Sequence, residues 1–394
     1  MNDKTALGCI FNEINTSNGY ESPSKNLLKK YGSFEAGFIS PESDSDAEII
    51  IEVLKNNGTN AWIEEIKQGP TFRQFKIGFK RGKLRSSVLK HNDDFAQNLC
   101  VSSVRIIPPG QDNPFITIEV PNKKRFTIGF DKMIDSLKAS KANIPMALGM
   151  DVNGELSVID VAQMHHVLIL GDTGSGKTVF INSFLNSILF SRTPNQVRIL
   201  LADLGDYGLS VYNDIPHLIS SVMTKPEDVL KAMENLCTEM ERRMVLFRES
   251  STNSIKVFND VAGKNNEPRL PYTVFIIDEY APIMIGFKDQ FEHWIKRITA
   301  VARFCGIHFV LTTRSVGKDV VSSVISGNIP TVLNFRIKDA SELVKSVINK
   351  DSANLLGRGD FLFSRPYSGT AQRIQGAYID LEVSEIVGFL MENA

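Results

Sequence analysis

The chain has 394 residues, more than one hydrophobic core usually holds, so two domains are expected. Its 44 Lys and Arg offset 45 Asp and Glu, which leaves no whole-molecule field to draw it to nucleic acid or anionic lipid; any such contact must come from a local patch. No apolar run approaches the ~18 residues of a spanning helix, and the opening "MNDKTALGCIFNE" lacks the basic stretch, apolar core and cleavage site of an export signal, so the expected location is cytoplasmic.

Residues 1–45 are dense in turn formers ("INTSNGYESPSK", "SPESDSD") and read as a flexible N-terminal extension. Ser45 with Glu48 forms a capping box ahead of Ile49, Ile50, Val53 and Leu54 on one helical face, with a stop at Gly58. From Trp62 the pattern changes to short alternating segments, "TFRQFKIGF", "VSSVRII" and "FITIEV", which predict a small α+β domain over 46–145. Cys9, Cys100, Cys237 and Cys305 fit neither zinc-ligand nor redox spacing and read as reduced thiols.

Residues 146–394 alternate apolar strands with helical patterns, the grammar of an α/β domain with a mainly parallel sheet covered on both faces. The predicted strands are "HVLIL", "VRILLAD", "VFIIDE", "HFVLTT", "TVLNFRI" and "DFLFS". A long helix is predicted from Thr224, boxed by Glu227 with Pro226 in its first turn, its core stripe running through Val229, Met233, Leu236, Met240, Met244 and Phe247.

"GDTGSGKT" comprises Gly171, Asp172, Thr173, Gly174, Ser175, Gly176, Lys177 and Thr178, and satisfies the phosphate-loop pattern. Its glycines let successive amides turn onto phosphate oxygens, Lys177 supplies a point charge, and the Thr178 hydroxyl suits Mg²⁺. A buried strand precedes it, and an amphipathic helix with Ile181, Phe184, Leu185 and Ile188 follows, its N-terminus facing the phosphates. "VFIIDEY" delivers two acids at a strand end: Asp278 fits the carboxylate that holds the metal through water, and Glu279 fits the base that activates the attacking water. The expected cofactors are ATP and Mg²⁺. No N-K-x-D guanine motif and no arginine-rich lid follow, which disfavours a GTPase switch and a small kinase.

Longer stretches are more specific. "SVYNDIPHLISSVMTKPEDVLKAMENLCTEMERRM", "LPYTVFIIDEYAPIM", "ARFCGIHFVLTTRS" and "LLGRGDFLF", with "GPTFRQFKI" and "IEVPNKKRFTI" upstream, closely resemble the FtsK/SpoIIIE family of DNA translocases from about residue 47 to the C-terminus. The resemblance implies a small alpha-type domain followed by a RecA-like motor, assembled as a hexameric ring that pulls double-stranded DNA through its channel with ATP. Division-site members add membrane helices, a linker and a winged-helix domain. None of these is recognisable in this chain, so anchoring and orientation on DNA would come from a membrane or recruiter protein.

The family commonly places a glutamine where "LTTRSV" has Arg314; an arginine can touch a phosphate, but it accepts no hydrogen bond from water. "DLGDYGLSVY" lacks the proline and lysine that commonly follow the position of Asp203. By the resemblance, Arg303 and Arg358 are candidates to complete a neighbour's site in trans. Two basic clusters, Lys80, Arg81, Lys83 and Arg85, and Lys123, Lys124 and Arg125, are candidate DNA-phosphate contacts, although the resemblance puts moving contacts on motor loops. His165 and His166 read as packing. Besides a translocase, the residues admit a coupling or packaging ATPase that moves nucleoprotein or protein cargo, and a nucleotide-gated DNA clamp with weak hydrolysis.

Overall fold

A computed structural model describes residues 20–393 except 33, 36, 81–90, 111–113, 206–207, 339–348 and 367–370. The small domain runs α1 (Glu42–Asn56), β1 (Ala61–Gln68), β2 (Phe72–Phe79), α2 (Asn92–Asn98), β3 (Arg105–Ile107) and β4 (Ile116–Pro121). Its strands form an antiparallel sheet ordered β1-β2-β4-β3. Ile116, Ile118 and Val120 turn one face of β4 onto Ile50, Leu54, Phe75 and Phe95. Thr117 and Glu119 occupy the opposite face and are buried too, because that face meets the second domain.

Helix α1 begins three residues before the predicted box. Pro41 occupies its N-cap with no side-chain bond, Glu42 and Asp44 complement the dipole in the first turn, and Ser45 lies inside the helix. Its end is as read: Gly58 adopts φ +72 just beyond it.

The second domain contains α3 (Ile134–Ala139), β5 (Pro145–Met150), β6 (Leu156–Asp160), β7 (Val167–Leu170), α4 (Lys177–Leu189), β8 (Val197–Asp203), α5 (Pro226–Glu249) and α6 (Ile255–Lys264). It continues through β9 (Tyr272–Asp278), α7 (Ala281–Gly286), α8 (Lys288–Thr299), β10 (Ile307–Thr313), α9 (Ser323–Asn328), β11 (Thr331–Phe335), β12 (Asp360–Ser364), β13 (Gln372–Gly376) and α10 (Val383–Glu392). Among the described residues its sheet has nine strands, ordered β6-β5-β13-β12-β11-β7-β10-β9-β8. From β11 to β8 every pairing is parallel, and each of these strands is buried along nearly its whole length, as a sheet covered on both faces requires. The other four strands add on antiparallel, an extension the alternating pattern did not announce. Helix α5 starts at Pro226 rather than Thr224, and its stripe is core except for Met244, which is exposed.

Residues 20–31 are not the mobile tail expected of 1–45. The Tyr20 hydroxyl donates to the Leu189 carbonyl at 2.5 Å, Leu28 enters the second domain's core, and the Lys29 amide donates to Glu382 Oε1 at 3.2 Å. So few apolar anchors, irregularly spaced, leave no periodic trace in a sequence. That core also takes Phe130, Met133, Ile134, Leu137 and Ile144, all before the expected boundary at 145. The small domain's core ends at Val120, which leaves residues 121–129 as the connection.

Candidate active site

Strand β7 lies between β10 and β11, so the chain leaves it at a point where the strand order reverses, the place where open α/β sheets bind ligands. The register brings five carboxyl ends together: Leu170 pairs with Thr313 and Asn334, and Asp203 with Asp278. The phosphate loop follows directly. Gly174 (φ +74) and Gly176 (φ +112) take left-handed conformations, and a side chain on Gly176 would collide with the backbone of Gly359. Lys177 Nζ donates to the carbonyls of Gly171 (2.5 Å) and Asp172 (3.1 Å). Burial lowers the Lys177 pKa against the pull of Glu279 and Asp278. Ser175 Oγ is buried without a partner. Two left-handed glycines, an orphaned hydroxyl and a half-buried ammonium make a cradle that fits nucleotide phosphate.

A cavity of about 740 Å³ opens from this loop; Lys177, Thr178, Asp278, Glu279, Arg314 and Arg358 line it. Thr312 Oγ1 donates to Asp278 Oδ1. Burial pushes the Asp278 carboxyl up to about 6, and the nearby Asp203 and Glu279 add to the rise, so the group gains from a bound cation. The Thr178 hydroxyl and this carboxylate, both oxygen donors on one cavity, fit Mg²⁺.

Glu279 is held on every side. It takes φ +56, unusual for a residue with a side chain. Thr313 Oγ1 donates to Oε1 at 2.7 Å, the Arg314 amide donates to Oε2 at 3.0 Å, and Arg314 Nε pairs with Oε2 at 3.2 Å. The arginine at the glutamine position therefore engages the candidate base. Two threonines closing an apolar strand, Thr312 and Thr313, were the signal for this pair of orienting hydroxyls, and the sequence reading passed over them.

Other sequence-predicted residues are distributed unevenly. Arg358 (φ +53, between two left-handed glycines) lies in the same chain's cavity, its backbone braced by Gln375 Nε2 at 3.0 Å. Arg303 precedes β10, so it lies at the amino end of the strand whose carboxyl end carries Thr313, and its guanidinium meets His165 Nε2 at 2.8 Å. Seven strand residues at about 3.3 Å each separate it from its own phosphate loop. Asp203 caps its own loop through the amides of Gly205 and Leu209. Arg125, expected on DNA, is exposed on this cavity, whereas Lys123 and Lys124 are exposed away from it. Lys80 is exposed, and Arg81, Lys83 and Arg85 fall outside the described residues.

The two domains meet through buried charges. Arg373 pairs with Asp360 at 2.7 Å and with Glu119 at 2.9 Å; Arg105 pairs with Glu119 at 3.3 Å and with Asp351 at 2.8 Å. Asp360 immediately follows Gly359, whose amide donates to the Ser175 carbonyl at 2.8 Å. Arg373, Asp360 and Gly359 thus link Glu119 of the small domain to the phosphate loop.

Comparison with known proteins agrees with this geometry. Residues 22–122 match the FtsK alpha domain and residues 133–318 match the FtsK/SpoIIIE family. The DNA translocase FtsK of Staphylococcus aureus is 34% identical over 359 residues, covering 89% of this chain and 46% of that protein. The DNA translocase FtsK of Clostridium acetobutylicum is 37% identical over 354 residues, with 89% and 46% covered. The chain therefore spans about half the length of the curated relatives it matches. Among solved structures, the pCW3 conjugation coupling protein TcpA in its monomer form with ATPγS aligns at TM-score 0.59 and 17% identity, over 89% of this chain and 99% of that one. The cytoplasmic domain of the Thermomonospora curvata Type VII secretion ATPase EccC aligns at TM-score 0.55 and 17% identity, over 65% and 32%. No described helix is long and apolar enough to cross a membrane. With an alpha domain, a P-loop motor sheet and relatives of one kind along most of its length, this chain belongs to the FtsK/SpoIIIE family.

Proposed function

We propose that the chain is an ATP-driven translocase of double-stranded DNA that works in the cytoplasm as a hexameric ring. The carrying observation is that Lys177, Thr178, Asp278 and Glu279 line one cavity in a chain of this family. Lys177 leaves the loop carbonyls for the nucleotide's phosphates, and the loop amides take the remaining oxygens. Thr178 and Asp278 would hold Mg²⁺, which supplies charge neutralisation at the β- and γ-phosphates. Glu279 accepts the proton of the attacking water at a carboxylate oxygen, and Thr313 keeps that carboxylate aimed. Arg358 adds positive charge from the same chain. DNA is gripped by phosphate contacts and is not read by sequence.

The test is steady-state ATP turnover with and without long double-stranded DNA, with Lys177→Ala as control. Strong DNA stimulation that Lys177→Ala abolishes is expected; turnover indifferent to DNA would sink the motor reading. One observation favours a second reading. Because Arg314 occupies Glu279 Oε2 through both its amide and its side chain, a nucleotide-gated DNA clamp with weak hydrolysis is the alternative, and low turnover with tight DNA binding would select it.

A further inference from the structure

Arg125 lies in the connection between the domains, in a turn held at both ends. The Asn122 amide donates to the Thr71 carbonyl at 2.9 Å, Asn122 Nδ2 to the Gly69 carbonyl at 2.8 Å, and the Phe126 amide to the Pro70 carbonyl at 3.0 Å. Just downstream, the Tyr378 amide donates to the Ile128 carbonyl at 2.7 Å and the Phe130 amide to the Tyr378 carbonyl at 2.9 Å. The backbone on either side of Arg125 is therefore fixed, first to the small domain and then to the motor, with the side chain between them on the cavity that holds Lys177.

The charges around it do not balance. Burial lowers the Arg125 pKa, Asp360 opposes this, and Arg373, Arg358 and Arg336 repel it. Asp360 is already engaged by both Arg373 Nε (3.0 Å) and Nη2 (2.7 Å). Neither Arg125 nor Arg358, which both line this cavity, forms an ion pair with a described residue; Arg336, whose Nε is buried without a hydrogen-bond partner, lines a smaller pocket that Arg125 also borders. The carboxylates nearby are committed, Asp360 to Arg373 and Glu279 to Arg314, so Arg125 and Arg358 on one cavity create a demand for an anion. A duplex cannot enter a cavity of about 740 Å³, but a nucleotide polyphosphate can.

We propose that Arg125 is a nucleotide-binding residue: supplied in cis by the turn that trails the small domain, it contacts the polyphosphate opposite the phosphate loop. This rests on the reading that the cavity holds ATP. It also makes the motor's nucleotide site a two-domain site, complete only while the small domain is docked.

Isothermal titration of the full chain with ATPγS and with ADP tests it. Removing one charge-assisted contact by Arg125→Ala should weaken binding roughly ten- to hundredfold. Arg125→Lys should restore part of the loss, since charge survives without the planar fork. Lys123→Ala and Lys124→Ala should bind as the parent does. If Arg125→Ala unfolds, Arg125→Gln, which keeps most of the stem, carries the same measurement. Parent-like ATPγS affinity in Arg125→Ala, with binding lost in Lys177→Ala, overturns the proposal while leaving the nucleotide site intact. Parent-like affinity in Lys177→Ala overturns the site reading and the proposal together. Arg125→Ala that keeps nucleotide affinity but loses affinity for a double-stranded oligonucleotide returns Arg125 to the DNA surface.

Discussion

At the join between the two sheets, Arg105, Glu119, Arg373 and Asp360 are buried and each is paired. At the carboxyl edge of the nine-stranded sheet, Lys177, Arg125 and Arg358 face an open cavity, and a tight pair there, Arg314 with Glu279, involves an arginine that is 43% exposed. A buried charge loses its hydration and keeps its ionisation only when fixed partners replace the water, so the first group can hold a structure but can do little else. The second group faces a space that a ligand can enter and is available to it. Scaffold and chemistry are thus separated by how their charges are compensated, although Gly359 and Asp360, adjacent in sequence, belong one to each.

The comparison can be broken at its strongest point first. Glu279→Gln keeps the shape of the cavity and removes the base, so turnover should fall about 10²- to 10⁴-fold while ATPγS binding persists; retained turnover would show that the base lies elsewhere. Glu119→Ala acts on the other group. It takes one acceptor from each of Arg105 and Arg373, which keep Asp351 and Asp360, and chemical denaturation should register a loss of about 1–3 kcal/mol.

The same pair has a pH signature. Burial alone would raise the Glu119 pKa, but Arg105 and Arg373 hold it below the ordinary 4.5. A depressed carboxylate contributes stability above its unfolded value and loses it as pH falls through the folded one. Hydrogen exchange along β3 and β4 should therefore accelerate below pH 4.5 before exchange along β7 does, and Glu119→Gln should remove that step.

Smaller effects sharpen the cavity side. Arg314→Gln releases Glu279 Oε2 from an ion pair worth about 1 kcal/mol at such exposure, so turnover should rise about fivefold; a fall would instead make Arg314 a working cation at the phosphates. Arg303→Ala should leave ATPγS affinity within about twofold, because its own site lies at the far end of β10. Lost DNA-stimulated turnover with that affinity unchanged would give it a role in a neighbouring subunit.

What could be read from the sequence divides along physical lines. The phosphate loop, its strand and helix, and Asp278 with Glu279 were legible because each is local: apolar residues fix the strand, and the next residues must emerge at its carboxyl end. Arg125 was not legible, since a basic turn looks the same whether it faces solvent or a cavity, and only the packing of the connection on both domains decides. Nor was the position of Arg303, because its side of the sheet depends on strand order. Tyr20 and Leu28 were missed because isolated anchors carry no period. Ser45 misled because a good capping residue loses to a helix that has already begun at Pro41 with acids in its first turn.

Gly176 and Gly359 carry a consequence for how this protein tolerates change. A Cβ on Gly176 would meet the backbone of Gly359, and a Cβ on Gly359, itself at φ +89, would meet Gln375 Nε2 at 3.0 Å. Gly176 is closed by backbone, which cannot give, whereas at Gly359 the glutamine tip can move and the left-handed φ is what disfavours a side chain. In a saturation scan for nucleotide-dependent function both glycines should resist substitution, Gly176 the more strongly, although only the first sits in a recognisable motif and the second would pass on inspection for an ordinary turn.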